Sequence, residues 1–239
     1  MEKAKYYKSL WKSVLETLEI AIAEGTLFYP QIETVLSQTE PSKAEYALGS
    51  RYMPRGFYCP SPDIDCFITN MRRGKIAKRI TTRSKPTFFY VFNEENKLFL
   101  SEEYYSTGTY ATEYILHKKD VSYGFIYDES GYMTSISVEQ CAENQLHQYL
   151  WATCSYNKEG GYKFHWVIQE NFDYVSEESI ETDFYDIQVF SNQVHIARWK
   201  SSFDLNEHKE IMLHSRRSLL FEKEHLKDIE DSLKPQKKS

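Results

Sequence analysis

Glycine and proline are scarce in this 239-residue chain, at 9 and 7 residues. That scarcity excludes long flexible or low-complexity stretches, which draw on those residues. Cysteine is also rare. Cys59, Cys66, Cys141 and Cys154 form no CxxC pair. A chain of this length can bury a sizeable core without cross-links, so four reduced, packed thiols are expected. No window approaches the roughly 18 apolar residues that span a bilayer. The opening residues Met1 to Lys8 are polar and lack the apolar core of a signal peptide. The expectation is a cytoplasmic protein with no membrane association.

Catalytic signatures are missing as well. The chain holds no P-loop, GxGxxG, HExxH or GxSxG pattern. This argues against many ATPases, dehydrogenases, zincins and hydrolases. It leaves open enzymes whose sites assemble from distant positions.

Acidic residues are absent from one long stretch. Between Cys66 and Asn93 there is no Asp or Glu, while Arg72, Arg73, Lys75, Lys78, Arg79, Arg83 and Lys85 form a basic patch. Taking those seven charges from a net charge of −6 leaves the rest of the chain at −13. The patch is the best phosphate-contacting candidate. The overall acidity opposes polyanion binding, so a charged connector paired with acidic neighbours is the plainer reading.

What is abundant is aromatic: 19 Tyr and 14 Phe, residues that favour half-buried strands. An aromatic strand end followed by a polar turn recurs at Phe92-Asn93-Glu94-Glu95-Asn96-Lys97 and at Tyr127-Asp128-Glu129-Ser130-Gly131. It returns at Tyr156-Asn157-Lys158-Glu159-Gly160-Gly161 and at Phe190-Ser191-Asn192-Gln193. From residue 86 the apolar period is two, and strands are expected near 87–92, 97–104, 111–117, 120–127, 132–139, 145–155, 162–171, 184–190 and 193–200. Phe164, Trp166 and Ile168 should share one face of their strand. Val121, Tyr123, Phe125 and Tyr127 should share a face of theirs.

Before residue 86 the pattern is helical. Tyr7, Leu10, Trp11, Val14, Leu15, Leu18 and Ile22 make an amphipathic stripe over residues 3–24, with Gly25 as the expected C-terminal cap. A short helix follows Pro30, residues 41–60 read as irregular, and Ser61-Pro62-Asp63 opens a third helix that Gly74 closes. Beyond residue 205, Ile211 and Leu213 suggest a strand. Leu219, Phe221, Leu226, Ile229 and Leu233 are compatible with a final helix. The expected fold is α+β: a large twisted antiparallel meander with the three N-terminal helices packed on one face. Residues 1–85 form the helical region and 86–233 the sheet region of one compact domain. Trp11 should be buried against the sheet.

His147, His165 and His195 fall on neighbouring expected strands, but nothing sets them in metal-ligating register, so no metal or other cofactor is expected. Glu102/Glu103 and Glu177/Glu178 are adjacent pairs that point to opposite strand faces and do not converge. Cys59 or Cys154 as a nucleophile would need a positioned histidine. Catalytic residues are therefore assigned to none of these. The turns are expected to make one edge of the sheet acidic and tyrosine-rich. Partner contact is expected at Glu94, Glu95, Asp128, Glu129, Tyr132, Glu177, Glu178, Glu181 and Asp183.

The N-terminal helix with Tyr7, Leu10 and Trp11, the segment Tyr52-Met53-Pro54-Arg55-Gly56-Phe57-Tyr58 and the Tyr127–Gly131 type of turn together resemble bacterial polymorphic-toxin immunity proteins. The resemblance implies a non-catalytic inhibitor that neutralises a cognate toxin, a basic protein and often a nuclease. The first alternative is an enzyme or ligand-binding protein whose pocket holds His147, Tyr149, Trp151 and His165. The second is an RNA-binding accessory protein using Arg72 to Lys85.

Overall fold

The computed structural model describes residues 2–49, 54–67, 74–79, 85–104, 110–143, 145–176, 178–190, 193–205 and 211–225. The chain opens with helix α1 (Glu2–Phe28), a single 3-10 turn (Tyr29–Gln31) and α2 (Ile32–Gln38). Strand β1 (Lys43–Leu48) follows, then α3 (Pro62–Phe67) and the two-residue β2 (Lys75–Ile76). The remaining strands are β3 (Phe88–Phe92), β4 (Leu98–Tyr104), β5 (Tyr110–His117), β6 (Val121–Tyr127) and β7 (Met133–Ala142). They continue as β8 (Gln145–Asn157), β9 (Gly161–Ser176), β10 (Ser179–Val189), β11 (Gln193–Leu205) and β12 (Ile211–His225).

Among the described residues these strands make one antiparallel sheet in the order β12-β11-β10-β9-β8-β7-β6-β5-β4-β3-β1-β2. From β3 to β12 each strand pairs with the next in sequence, the meander that the hairpin turns announce. The turns repeat in hydrogen bonding too. Asn93 N donates to Lys97 O, Asn96 N to Asn93 O, and Lys97 N to Asn93 Oδ1. Asp128 N donates to Tyr132 O, Gly131 N to Asp128 O, and Tyr132 N to Asp128 Oδ1. Asn96 and Gly131 are both left-handed. Each turn therefore closes with a left-handed residue that matches the strand twist. Ser191 and Asn192 lie outside the described residues.

The amphipathic stripe of α1 is buried as expected. Trp11 is 4% exposed, and Val14, Leu18 and Ala21 are sealed. They pack with Phe125, Met133, Ile136, Leu150, Val167, Ile187 and Ile196 from the middle strands. Fully burying each such side chain contributes about 1.5–3 kcal/mol. Gly25 does not cap the helix, which runs on to Phe28. A Cβ at Gly25 would lie 2.5 Å from Met133 Sδ and 2.8 Å from the Phe125 ring. The glycine is there so that helix and sheet can meet.

The third helix departs from the expectation of one covered face. α1 and α2 cover the face bearing Leu150, Val167 and Ile187. Ile64 of α3 and Cys59 before it pack on Tyr149, Ile168, Phe184 and Trp199, the alternate residues of the same strands. Residues 54–64 therefore run over the opposite face. The reason is that both faces of β8–β11 are apolar and each needs a cover. Residues 68–73, the expected remainder of this helix, lie outside the described residues.

Three strand readings are corrected. Residues 43–48 form β1, paired with β3 from Lys43↔Phe92 to Ala47↔Phe88. That partner is too distant in sequence for local periodicity to show it. Phe164 and Trp166 point to opposite faces, because β8 and β9 slip at Thr153/Cys154 and leave His165 as the extra residue. Residues 211–225 are strand and not the start of a final helix, since β11 offers its open edge along the whole length from Gln193↔His225 to Leu205↔Ile211. Residues from Leu226 onward lie outside the described residues.

Candidate functional site

Turns of a meander alternate between the two ends of the sheet, and this divides the acidic residues. The turn with Glu94 and Glu95 joins β3 to β4, and the turn at Glu178 joins β9 to β10, both at one end. Asp128, Glu129 and Tyr132 join β6 to β7 at the other end. The single acidic edge does not form, because an even number of strands separates turns on the same end. Glu177 lies outside the described residues. Glu181 is exposed on β10. Asp183 is engaged within the protein: its Oδ1 accepts from Arg198 Nε at 2.8 Å and its Oδ2 from a terminal Arg198 nitrogen at 2.5 Å. The Arg198 guanidinium also stands over the Tyr6 and Tyr185 rings and ties the start of α1 to the sheet.

At the second end the turn acids meet tyrosines. Tyr29, from the α1–α2 junction, packs on Tyr127 at 4.8 Å, and Tyr132 stacks on Tyr156 at 4.1 Å. Gly131 admits this packing, since a Cβ there would lie 2.6 Å from the Tyr29 ring. Tyr127 donates its hydroxyl to Gly25 O at 2.8 Å. A cleft of about 780 Å³ opens between Tyr29, Tyr114 and Tyr127, with Glu33, Asp128 and Glu129 on its rim. Among the described residues, every charged side chain lining it is a carboxylate. Asp128 has a structural duty besides, since its Oδ1 accepts from Ser130 N and Tyr132 N, both at 2.9 Å.

Under residues 54–64, on the opposite face, lies a buried ionic cluster. Arg55 is left-handed (φ 58°), and its carbonyl accepts from Tyr90 Oη at 2.9 Å. Its Nε faces both oxygens of Glu113 at 3.0 and 3.1 Å. One terminal nitrogen donates to Ser137 Oγ at 2.7 Å and the other to Glu139. Ser137 in turn donates to Glu113 at 2.7 Å. Burial works against the guanidinium charge, but Glu113 and Glu139 more than reverse this and raise its pKa. The space is cleared by Gly124, whose Cβ would lie 1.9 Å from Glu113 Oε1. Beside Arg55 a cleft of about 370 Å³ extends to Trp151, Thr153 and Trp166, with Ser101, Glu103 and Ser135 on its walls.

A second polar cluster lies where α3 meets the sheet. Asp63 accepts from Ser201 Oγ at 2.6 Å, from Trp199 Nε1 at 3.3 Å and from Thr182 Oγ1. Glu170 is fully buried next to Asp63 and Ser61. Burial first, and the neighbouring Asp63 second, hold its carboxyl well above the ordinary value of 4.5. Sequence reading missed these groups, yet a signal was there. Glu113 alternates with Ala111 and Ile115, and Glu170 with Ile168 and Phe172, so each acid occupies an apolar phase of its strand.

The histidines do not converge. His147 and His165 are exposed, the first against Tyr174 and the second bonded to Ser155 Oγ at 2.8 Å. His195 packs on Phe190. Tyr149 is fully buried, and of the expected His147, Tyr149, Trp151 and His165 it is Trp151 that lines the cleft beside Arg55. Cys154 donates to Met133 O at 3.2 Å, and burial pushes its thiol up to about 12, so the nucleophilic thiolate is disfavoured. In the basic patch Lys75, Lys78, Arg79 and Lys85 are exposed near edge strand β2, and Arg72, Arg73 and Arg83 lie outside the described residues. Among the described residues no helix is long and apolar enough to cross a membrane. Comparison with protein-family models, with curated proteins and with solved structures returns no match.

Proposed function

We propose that this chain is a non-catalytic binding protein that receives a basic segment of a partner protein in the tyrosine-walled cleft at the β6–β7 turn. The observation that carries the reading is the cleft's chemistry. Tyr29, Tyr114 and Tyr127 wall it, and among the described residues its charged groups, Glu33, Asp128 and Glu129, are all acidic. Tyrosine gives large contact area at small entropic cost, and a rim of one sign steers a partner of the other. An acidic remainder of −13 outside the basic patch adds a long-range field of the same sign. Of the residues expected to contact a partner, Asp128 and Glu129 belong to this cleft.

The immunity-protein resemblance supports a specific form of this function: a stoichiometric inhibitor held on a basic bacterial toxin. The test is affinity capture from the native cell with wild type and a Glu33→Lys/Glu129→Lys variant side by side. A basic protein bound one-to-one by the wild type and lost by the folded variant is the expected result. Recovery of no partner, or equal recovery by both, overturns the reading.

A further inference from the structure

The segment that covers the second face of the sheet closes on it through two acids. Asp63 of α3 and Glu170 of β9 are both fully buried. Glu170 is fixed, because its strand is paired on both sides, Tyr149↔Glu170 with β8 and Phe184↔Glu170 with β10. Asp63 accepts from Thr182 of β10 and from Trp199 and Ser201 of β11. That one carboxylate therefore ties α3 to two strands.

The surroundings supply the pair with no counter-charge. Among the described residues, the titratable groups on this face around Glu170 are Asp63 and Cys59 from the cover, His147 and Tyr149 from β8, Tyr174 from β9 and Asp186 from β10. His147 is exposed against Tyr174, and Asp186 accepts from Trp166 Nε1 at 2.6 Å. Arg55, the buried cation of this face, is committed to Glu113, Glu139 and Ser137. Two carboxyls sealed together do not both ionise, because each charge has lost its water and repels the other. Asp63 already accepts three hydrogen bonds, the role of a carboxylate, so the shared proton rests on Glu170.

We propose that residues 56–64 are a proton-held latch over the second face of the sheet, shut while Asp63 and Glu170 share a proton and lifting at the α3 end when that proton leaves. The Arg55 end stays attached, since Glu113 and Glu139 keep its guanidinium charged. Lifting uncovers Cys59 together with Tyr149, Ile168, Phe184 and Trp199. Once lifted, Glu170 meets water and titrates near its ordinary 4.5, whereas in the shut form burial and Asp63 hold it higher. The latch is therefore fully held below about 4.5, and opening rises about tenfold per pH unit from there to the shut-form value. The latch is independent of the partner reading.

Iodoacetamide labelling of the full chain between pH 5 and 8, with the labelled cysteine located by mass spectrometry, tests it. Each rate is divided by that of a free-cysteine peptide at the same pH, which removes the thiolate fraction. Cys59, 1% exposed under the latch, reads local lifting; Cys154, 6% exposed in the α1-side core, reads opening of the whole protein. The corrected Cys59 rate should climb at least tenfold over this range and exceed that of Cys154 at least tenfold. Glu170→Gln should make the Cys59 rate flat, and Glu170→Met supplies a second neutral side chain should Glu170→Gln not fold. The comparison of the two cysteines needs the wild type alone. A flat wild-type Cys59 rate, an equal climb in the Glu170 variants, or Cys59 and Cys154 labelled at the same rate throughout overturns the proposal.

Discussion

Arg55 and Glu113 are 58 positions apart in sequence and meet through Nε at 3.0 and 3.1 Å in a site where Arg55 is 5% exposed. The pair fastens the segment that covers the second face of the sheet to β5. It also holds Arg55 in the left-handed region, which costs an ordinary residue on the order of 1–3 kcal/mol. The ionic cluster and the Tyr90 hydroxyl clamp are what offset that cost.

Arg55→Ala should therefore destabilise the protein by about 3–5 kcal/mol, because Glu113 is left buried, and Glu139 half-buried, without a counter-charge. Removing both charges with Arg55→Met/Glu113→Leu should cost less than the sum of the single changes. Chemical denaturation of the four proteins measures the coupling, and strict additivity would show that the pair is not a unit.

Glu170 makes stability depend on pH in a stated direction. Its folded pKa lies above the ordinary 4.5, so its contribution is complete below about 4.5 and is lost as pH rises toward the folded value. Glu170→Gln keeps the neutral shape and removes the titration. The variant should gain on the wild type as pH rises from 5 to 8, by up to about 1.4 kcal/mol per pH unit across the window. A parallel pair of stability curves would remove Glu170 as the source.

Gly25→Ala separates helix propensity from packing. In a free helix the change would stabilise by about 1 kcal/mol. Here the new Cβ meets Met133 Sδ and the fixed Phe125 ring, so a loss of about 1–3 kcal/mol is expected. Met133→Ala on the Gly25→Ala background should cost less than the sum of the two single changes, because the clash is gone once the thioether is removed. A stabilised Gly25→Ala single variant would mean that α1 does not press on β6 and β7 as described.

Asp183 and Glu129 were both expected at a partner surface, and their surroundings now separate them. Asp183→Asn should cost about 1 kcal/mol of stability through its pair with Arg198 and leave association unchanged. Glu129→Lys should leave stability within about 0.5 kcal/mol and slow association with a basic partner, more so at low salt. Association rates against ionic strength decide between them; a slowed Asp183→Asn would return that residue to the interface.

Much of this molecule was written locally. The α1 stripe around Trp11 has helical spacing, and the hairpins from β3 to β11 carry their own turn residues. Asn93 and Asp128 close their turns with their own side chains, and these contacts span four residues. Periodicity and turn chemistry act over such distances, so sequence alone determines the meander, the amphipathic helix and its buried face. What local pattern cannot hold is pairing across the chain. β1 is strand only because β3 lies beside it, and β12 because β11 leaves an edge to fill. Meander parity then sends Glu94 and Asp128 to opposite ends of the sheet. Arg55 meets Glu113, and Asp63 reaches Glu170, only once residues 54–64 cross a sheet built almost entirely after them. Those buried charges are decided by the tertiary structure, because only the folded sheet removes the water that would otherwise solvate each of them separately.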